Sequence, residues 1–148
     1  ARRDIKSTNL LAQVMAKHAA REAGDYEALM IDQDGYVTEA GSSSFFYIRG
    51  NDLFVRPVTN EILHGITRQT MLRVAKQVDL KFVERFYKLE EALEADEALI
   101  TASSIYVLPV SKIDDHVIAD GQAGRFTVAL RKAYLETARA EFYQPSDS

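Results

Sequence analysis

A lysine, a glutamate and two hydroxyl-bearing turns are the parts of this chain that could do chemistry. Lys6 stands in Asp4-Ile5-Lys6-Ser7-Thr8-Asn9-Leu10, directly before an apolar run. A lysine amine acts as a nucleophile or base near neutral pH only when burial or a nearby positive group removes its proton. Glu39 stands in Thr38-Glu39-Ala40-Gly41-Ser42-Ser43-Ser44, a lone carboxylate entering small polar residues at the end of a strand pattern. Gly65-Ile66-Thr67-Arg68 leads into a helical pattern. Glycine lets backbone approach a ligand closely, and the first amides of a helix lie unpaired at its positive dipole end. With the Thr67 hydroxyl added, this is an anion site suited to a phosphate. Thr101-Ala102-Ser103-Ser104 breaks two apolar strands with small, hydroxyl-rich residues. Taken singly, each feature also has a plainer reading: a solvated lysine, a surface strand end, a helix cap and a tight turn. His64 reads as a solvent-facing loop histidine.

These residues need elements to hold them. Residues 8 to 23 place Leu10, Leu11, Val14, Met15 and Ala19 at helical spacing, which predicts a helix capped by Ser7 or Thr8 and followed by Gly24. Tyr26 to Asp32 reads as a strand. Asp34-Gly35 is a hairpin turn, because glycine tolerates the positive φ such turns demand. Tyr36 to Glu39 begins the return strand and Phe45 to Ile48 continues as β. Gly50-Asn51-Asp52 turns into a short strand, Leu53 to Val55. Gly65 is expected to open a second helix carrying Met71, Leu72, Ala75 and Val78. Leu80 to Phe86 is a strand and Lys88 to Leu93 a short helix. Glu97 to Thr101 and Ile105 to Ile113 are strands. Arg125 to Phe142 is a terminal helix with Phe126, Leu130, Ala133, Tyr134 and Ala138 on one side. Hairpins mixed with strand–helix alternation predict a mixed α/β or α+β fold rather than a doubly wound parallel sheet.

Length and composition narrow the function. The 148 residues suit one domain, 1–148. The chain has no cysteine, so disulfides, thiolate metal sites and thiol nucleophiles are excluded, and a reducing cytoplasm is the expected setting. No metal site is expected. Lys and Arg number 18 against 22 Asp and Glu, a net charge of -4 with the basic residues scattered. Nucleic-acid binding calls for a basic stripe and is not expected. No apolar run is long enough to span a membrane, and no signal-peptide core is present. The chain starts without Met, five residues before Lys6, which reads as a fragment or a cleavage product.

Together the four stretches resemble one family in order and spacing. Asp-Ile-Lys-Ser-Thr-Asn-Leu-Leu, Gly-Tyr-Val-Thr-Glu, Glu-Ile-Leu-His-Gly-Ile-Thr-Arg and the hydroxyl-rich loop before Val-Leu-Pro-Val are similar to those of fold-type IV pyridoxal-phosphate enzymes, most closely the D-amino-acid aminotransferases. The resemblance runs from Asp4 to about Phe142 and implies that family's C-terminal, cofactor-binding lobe, a mixed, barrel-like sheet with surrounding helices. It implies pyridoxal 5'-phosphate as cofactor. Lys6 would form the Schiff base with the cofactor aldehyde and then move the substrate's α-proton. Glu39 would hold the pyridine nitrogen protonated, which makes the ring a better electron sink. Leu63 matches the position packed against the ring face. Gly65, Ile66 and Thr67 would bind the phosphate, with Ser103, or Ser104 one residue on, as the later phosphate hydroxyl. Ser42 and Ser43 match the small residues near the ring and the substrate.

The sequence departs from the family at two nearby places, with His64 where proline is common and Ser44 where asparagine is. Branched-chain aminotransferases of this fold usually carry Gly-Gly-Asn-Tyr after the lysine, where this chain has Ser7-Thr8-Asn9-Leu10. The resemblance therefore implies transamination of D-amino acids with 2-oxoglutarate or pyruvate as acceptor. (R)-amine transaminase and aminodeoxychorismate lyase of the same fold are the alternatives. A reading from another class is a non-catalytic lobe that binds phosphate or a partner chain. The family's N-terminal lobe, which supplies an arginine for the phosphate and groups for the substrate carboxylate, is not matched in this chain. That lobe and a second copy in a homodimer are the partners the resemblance implies.

Overall fold

The computed structural model describes residues 8–14, 25–39, 43–57, 62–63, 66–102 and 106–142. Strands β1 (Thr8–Val14), β2 (Asp25–Ile31), β3 (Val37–Glu39), β4 (Ser44–Arg49) and β5 (Asp52–Val55) come first. The short pair β6 (Ile62–Leu63) and β7 (Ile66–Thr67) leads into helix α1 (Arg68–Gln77). Then follow β8 (Lys81–Glu84), α2 (Leu89–Leu93), β9 (Glu97–Ala102), β10 (Tyr106–Ile113), β11 (His116–Val117) and α3 (Arg125–Phe142). The described strands form one nine-stranded sheet in the order β3-β2-β1-β10-β9-β4-β5-β8, with β11 also paired to β10, and β6–β7 stands apart as a hairpin. Every pairing is antiparallel except β5 with β8, which α1 connects. The mixed fold is the one expected from the sequence.

One expectation is corrected. The helix expected over residues 8 to 23 is a strand from Thr8 to Val14, and residues 15–24 lie outside the described residues. The spacing of Leu10, Leu11 and Val14 fits one helix face but equally fits a strand inside a sheet. Here β1 lies between β2, paired from Thr8↔Ile31 to Val14↔Asp25, and β10, paired from Ala12↔Ile113 to Val14↔Val110. Backbone partners on both edges override a local helical preference.

The strand–turn signals hold. Gly35 has φ 90° at the tip between β2 and β3. The Asp32 carboxylate accepts from Asp34 N at 2.9 Å and Tyr36 N at 3.0 Å, which fixes the hairpin. Gly50, at φ 65°, turns β4 into β5, and its amide donates to Asp96 Oδ2 at 2.7 Å. Long β10 passes from β9 to β1 along its length, with β11 also paired at Lys112 and Ile113. Residues 106–109 pair with β9 and residues 110–113 with β1. Pro109, which lacks an amide donor, sits at the changeover, where a strand tolerates it.

The sheet buries both faces. Phe45 and Tyr47 of β4 pack with Ile100, Leu108, Val110 and Tyr87 on one side. Phe46 and Ile48 pack with Leu99, Val107, Met71, Val74 and Leu130 on the other, beneath α1 and α3. The continuous apolar run of β4 is the sequence sign of such a two-sided strand. Full burial of side chains like these contributes about 1.5–3 kcal/mol each.

Candidate active site

The register of β1, β2 and β3 relates Glu39 to Asn9. Glu39 ends β3 and pairs with Met30, and Met30 pairs on its other edge with Asn9 of β1. Asn9 and Glu39 are therefore level, two strand spacings or roughly 10 Å apart. Lys6 lies three residues before Asn9 and, like Ser42, His64, Gly65, Ser103 and Ser104, is outside the described residues. The hairpin that carries Glu39 is anchored from beyond the sheet, where Val37 N donates to Tyr87 O and Leu89 N to Gly35 O, both at 3.0 Å, and within itself by Thr38 Oγ1 donating to Met30 O at 3.1 Å.

The turn expected to bind an anion is a hairpin feeding a helix. Leu63 pairs with Ile66 and Ile62 with Thr67. Leu63 and Ile66 are buried and pack against the sheet in the core beneath α1 and α3. The helix opens at Arg68 instead of Gly65. Thr67 is its N-cap, with extended φ −75° and ψ 154°. Two β-branched residues suit the short strand, and a threonine side chain caps a helix only from an extended backbone. Thr67 Oγ1 accepts from Thr70 N at 3.1 Å and donates to Thr70 Oγ1 at 2.8 Å. No acidic residue occupies the first turn of α1.

Ser44 and Thr101 meet at one end of the β4–β9 pair. Ser43 is buried immediately before β4, and Ser44 pairs with Thr101 near the end of β9. Tyr106, which opens β10, pairs with Ala102 at the end of β9. Thr101 is a residue that reading of the sequence passed over as a binding group. It is fully buried, and its Oγ1 has no hydrogen-bond partner among the described residues. Its place at the head of the hydroxyl-rich stretch Thr101-Ala102-Ser103-Ser104 was the signal available for it.

A fold of this kind is found in solved fold-type IV enzymes. The branched-chain amino acid aminotransferase from Thermobaculum terrenum in its PLP form superposes with TM-score 0.68 at 31% identity, covering 80% of this chain and 39% of that one. The amino-transferase class IV family model matches residues 1–113, and the chain belongs to that family. It is 39% identical over 138 residues to a D-alanine aminotransferase of Bacillus licheniformis, covering 93% of this chain and 48% of that enzyme. A D-alanine aminotransferase of Staphylococcus epidermidis is 38% identical over 131 residues, with 88% and 46% covered. The chain thus spans about half the length of the curated relatives it matches.

Proposed function

We propose that the protein carrying this chain transfers amino groups from D-amino acids to a 2-oxo acid such as 2-oxoglutarate or pyruvate, using pyridoxal 5'-phosphate. The observation that carries the reading is the level register of Asn9, Met30 and Glu39, which puts Asn9, three residues after Lys6 in the sequence, level with the end of β3 across β2. Similarity to D-alanine aminotransferases supports the substrate class.

The donor set fits the cofactor. Hydroxyls, helix-start amides and a first turn free of carboxylates suit a phosphate monoester. Ile66 and Thr67, with Gly65 before them and Ser103 or Ser104 from the later loop, would hold the phosphate. Leu63 would pack on the ring, with Ser42 and Ser43 beside ring and substrate. Pyridoxal phosphate, when bound, supplies an aldehyde that takes up an amino group and a ring that withdraws electrons. Lys6 Nζ would bind at that aldehyde and later carry the substrate's α-proton. The Glu39 carboxylate would hold a proton on the ring nitrogen. A preceding lobe would add an arginine for the phosphate and groups for the substrate carboxylate, and two copies would pair as a dimer.

The decisive experiment adds pyridoxal phosphate to the complete protein, follows the near-visible absorption band, reduces with borohydride and maps the labelled peptide. Label on Lys6 is expected. Label spread over surface lysines, or no band, would leave a lobe that binds a phosphate or partner without chemistry. For the substrate, D-alanine is expected to outpace (R)-1-phenylethylamine and L-leucine. A second reading, transamination of L-branched-chain amino acids, is favoured by the structural likeness to branched-chain enzymes. Faster turnover of L-leucine would decide for it.

A further inference from the structure

Thr101 is fully buried, and its hydroxyl has no hydrogen-bond partner among the described residues. Native proteins seldom leave such a group unpaired, so its partner is expected to be something bound. The direction of the side chain follows from the strand ladders. Glu97, Leu99 and Thr101 alternate onto one face of β9. Leu99 packs in the core that holds Leu63 and Ile66, and so does Val107, the residue directly across from Thr101 on β10. Residues opposite one another on neighbouring strands share a face. The Thr101 hydroxyl therefore faces the side covered by the β6–β7 hairpin and α1, the helix that Thr67 caps. Two residues further on lies Ser103, the expected phosphate hydroxyl.

We infer that the Thr101 hydroxyl is a further binding group for the phosphate of the cofactor, donating a hydrogen bond to a phosphate oxygen from the sheet side while Ile66 and Thr67 hold it from the helix side. This rests on the pyridoxal-phosphate reading above. A hydrogen bond to an anionic oxygen is among the stronger ones, so its loss is measurable.

The test compares Thr101→Val, which keeps shape and removes the hydroxyl, with Thr101→Ser, which keeps the hydroxyl, in the complete protein. Dissociation constants for pyridoxal phosphate, protection by inorganic phosphate against thermal unfolding, and the melting temperature without ligand are measured. Thr101→Val is expected to weaken both ligands about tenfold, as loss of a hydrogen bond to a charged group does. Thr101→Ser is expected to stay close to wild type. Without ligand, Thr101→Val is expected to melt at or above the wild-type temperature, because a methyl replaces an unpaired hydroxyl. Unchanged affinity in Thr101→Val overturns the inference. So does a less stable or unfolded Thr101→Val protein, which would show a partner for the hydroxyl inside the fold. A wild type that binds inorganic phosphate but not pyridoxal phosphate sinks the functional reading, while a phosphate effect of Thr101→Val still upholds the role of Thr101. Binding of neither ligand by the wild type overturns both.

Discussion

At Glu39 the proposed chemistry demands a charge and not merely a shape. A carboxylate beside a pyridine nitrogen favours the protonated ring, and an amide of the same size does so far less. Glu39→Gln is therefore expected to keep pyridoxal phosphate and lose kcat by about 10²-fold, the scale on which removal of one preorganised electrostatic group acts. Steady-state kinetics with D-alanine check it, and wild-type kcat in the variant removes the role. Lys6→Ala is expected to abolish turnover with the circular dichroism spectrum unchanged, since the lysine is called on for chemistry and not for packing. Both residues were candidates in the sequence because the family motif marks them by neighbours and order. Thr101 was not. Threonine is common in strands, and what singles this one out is burial without a partner, a property of neighbours brought from β4 and β10.

Among the elements, α3 depends on a contact that no local pattern announces. Glu97 opens β9 and is 9% exposed. Its Oε1 accepts from Thr127 N and Thr127 Oγ1, both at 2.7 Å, and its Oε2 accepts from Phe126 N at 3.1 Å. The carboxylate thus satisfies the first amides of α3 and meets the positive end of its dipole. Only glycine fits at position 124, because a methyl there would overlap the Glu97 side chain. Glu97→Ala would leave three donors unpaired and is expected to destabilise the fold by about 2–4 kcal/mol, read from urea unfolding. Gly124→Ala is expected to destabilise as well, by displacing the carboxylate, and neutrality of either substitution would contradict the account. In the sequence Glu97 looked like an ordinary strand start. The same limit explains the other elements. Hairpins marked by Gly35 and Gly50 and the long α3 could be read, since their signals lie within a few residues. The β6–β7 and β11 ladders are two residues long and carry no period, and β1 owes its state to strands far along the chain.

Over the whole molecule, the two cores on either face of the sheet meet through β4 and β9, whose side chains alternate between them. The core away from α1 and α3 contains an ionisable group in a costly place. Tyr87 is 1% exposed and packs edge-on against Tyr47, ring centroids 4.9 Å apart. Burial pushes its phenol well above the ordinary range, and the neighbouring Tyr47 adds to the shift, against a lowering effect of Arg56. Burial, then Glu91, raises Tyr47 too. Ionisation of Tyr87 in place would put a charge into an apolar core, so the folded state keeps it neutral. The unfolded chain has no such restraint and releases the proton near pH ~10. The folded pKa lies above the unfolded one, so this contribution to stability is fully present below about 10 and is lost as pH rises beyond it. The slope is about 1.4 kcal/mol per pH unit for each phenol that ionises only on unfolding. Urea midpoints measured from pH 8 to 11.5 are expected to hold level and then fall. In Tyr87→Phe the fall is expected to be shallower by one proton's worth. An identical alkaline limb in wild type and Tyr87→Phe would mean that the folded core admits the ionised phenol, and that this face of the sheet is wetter than its packing implies.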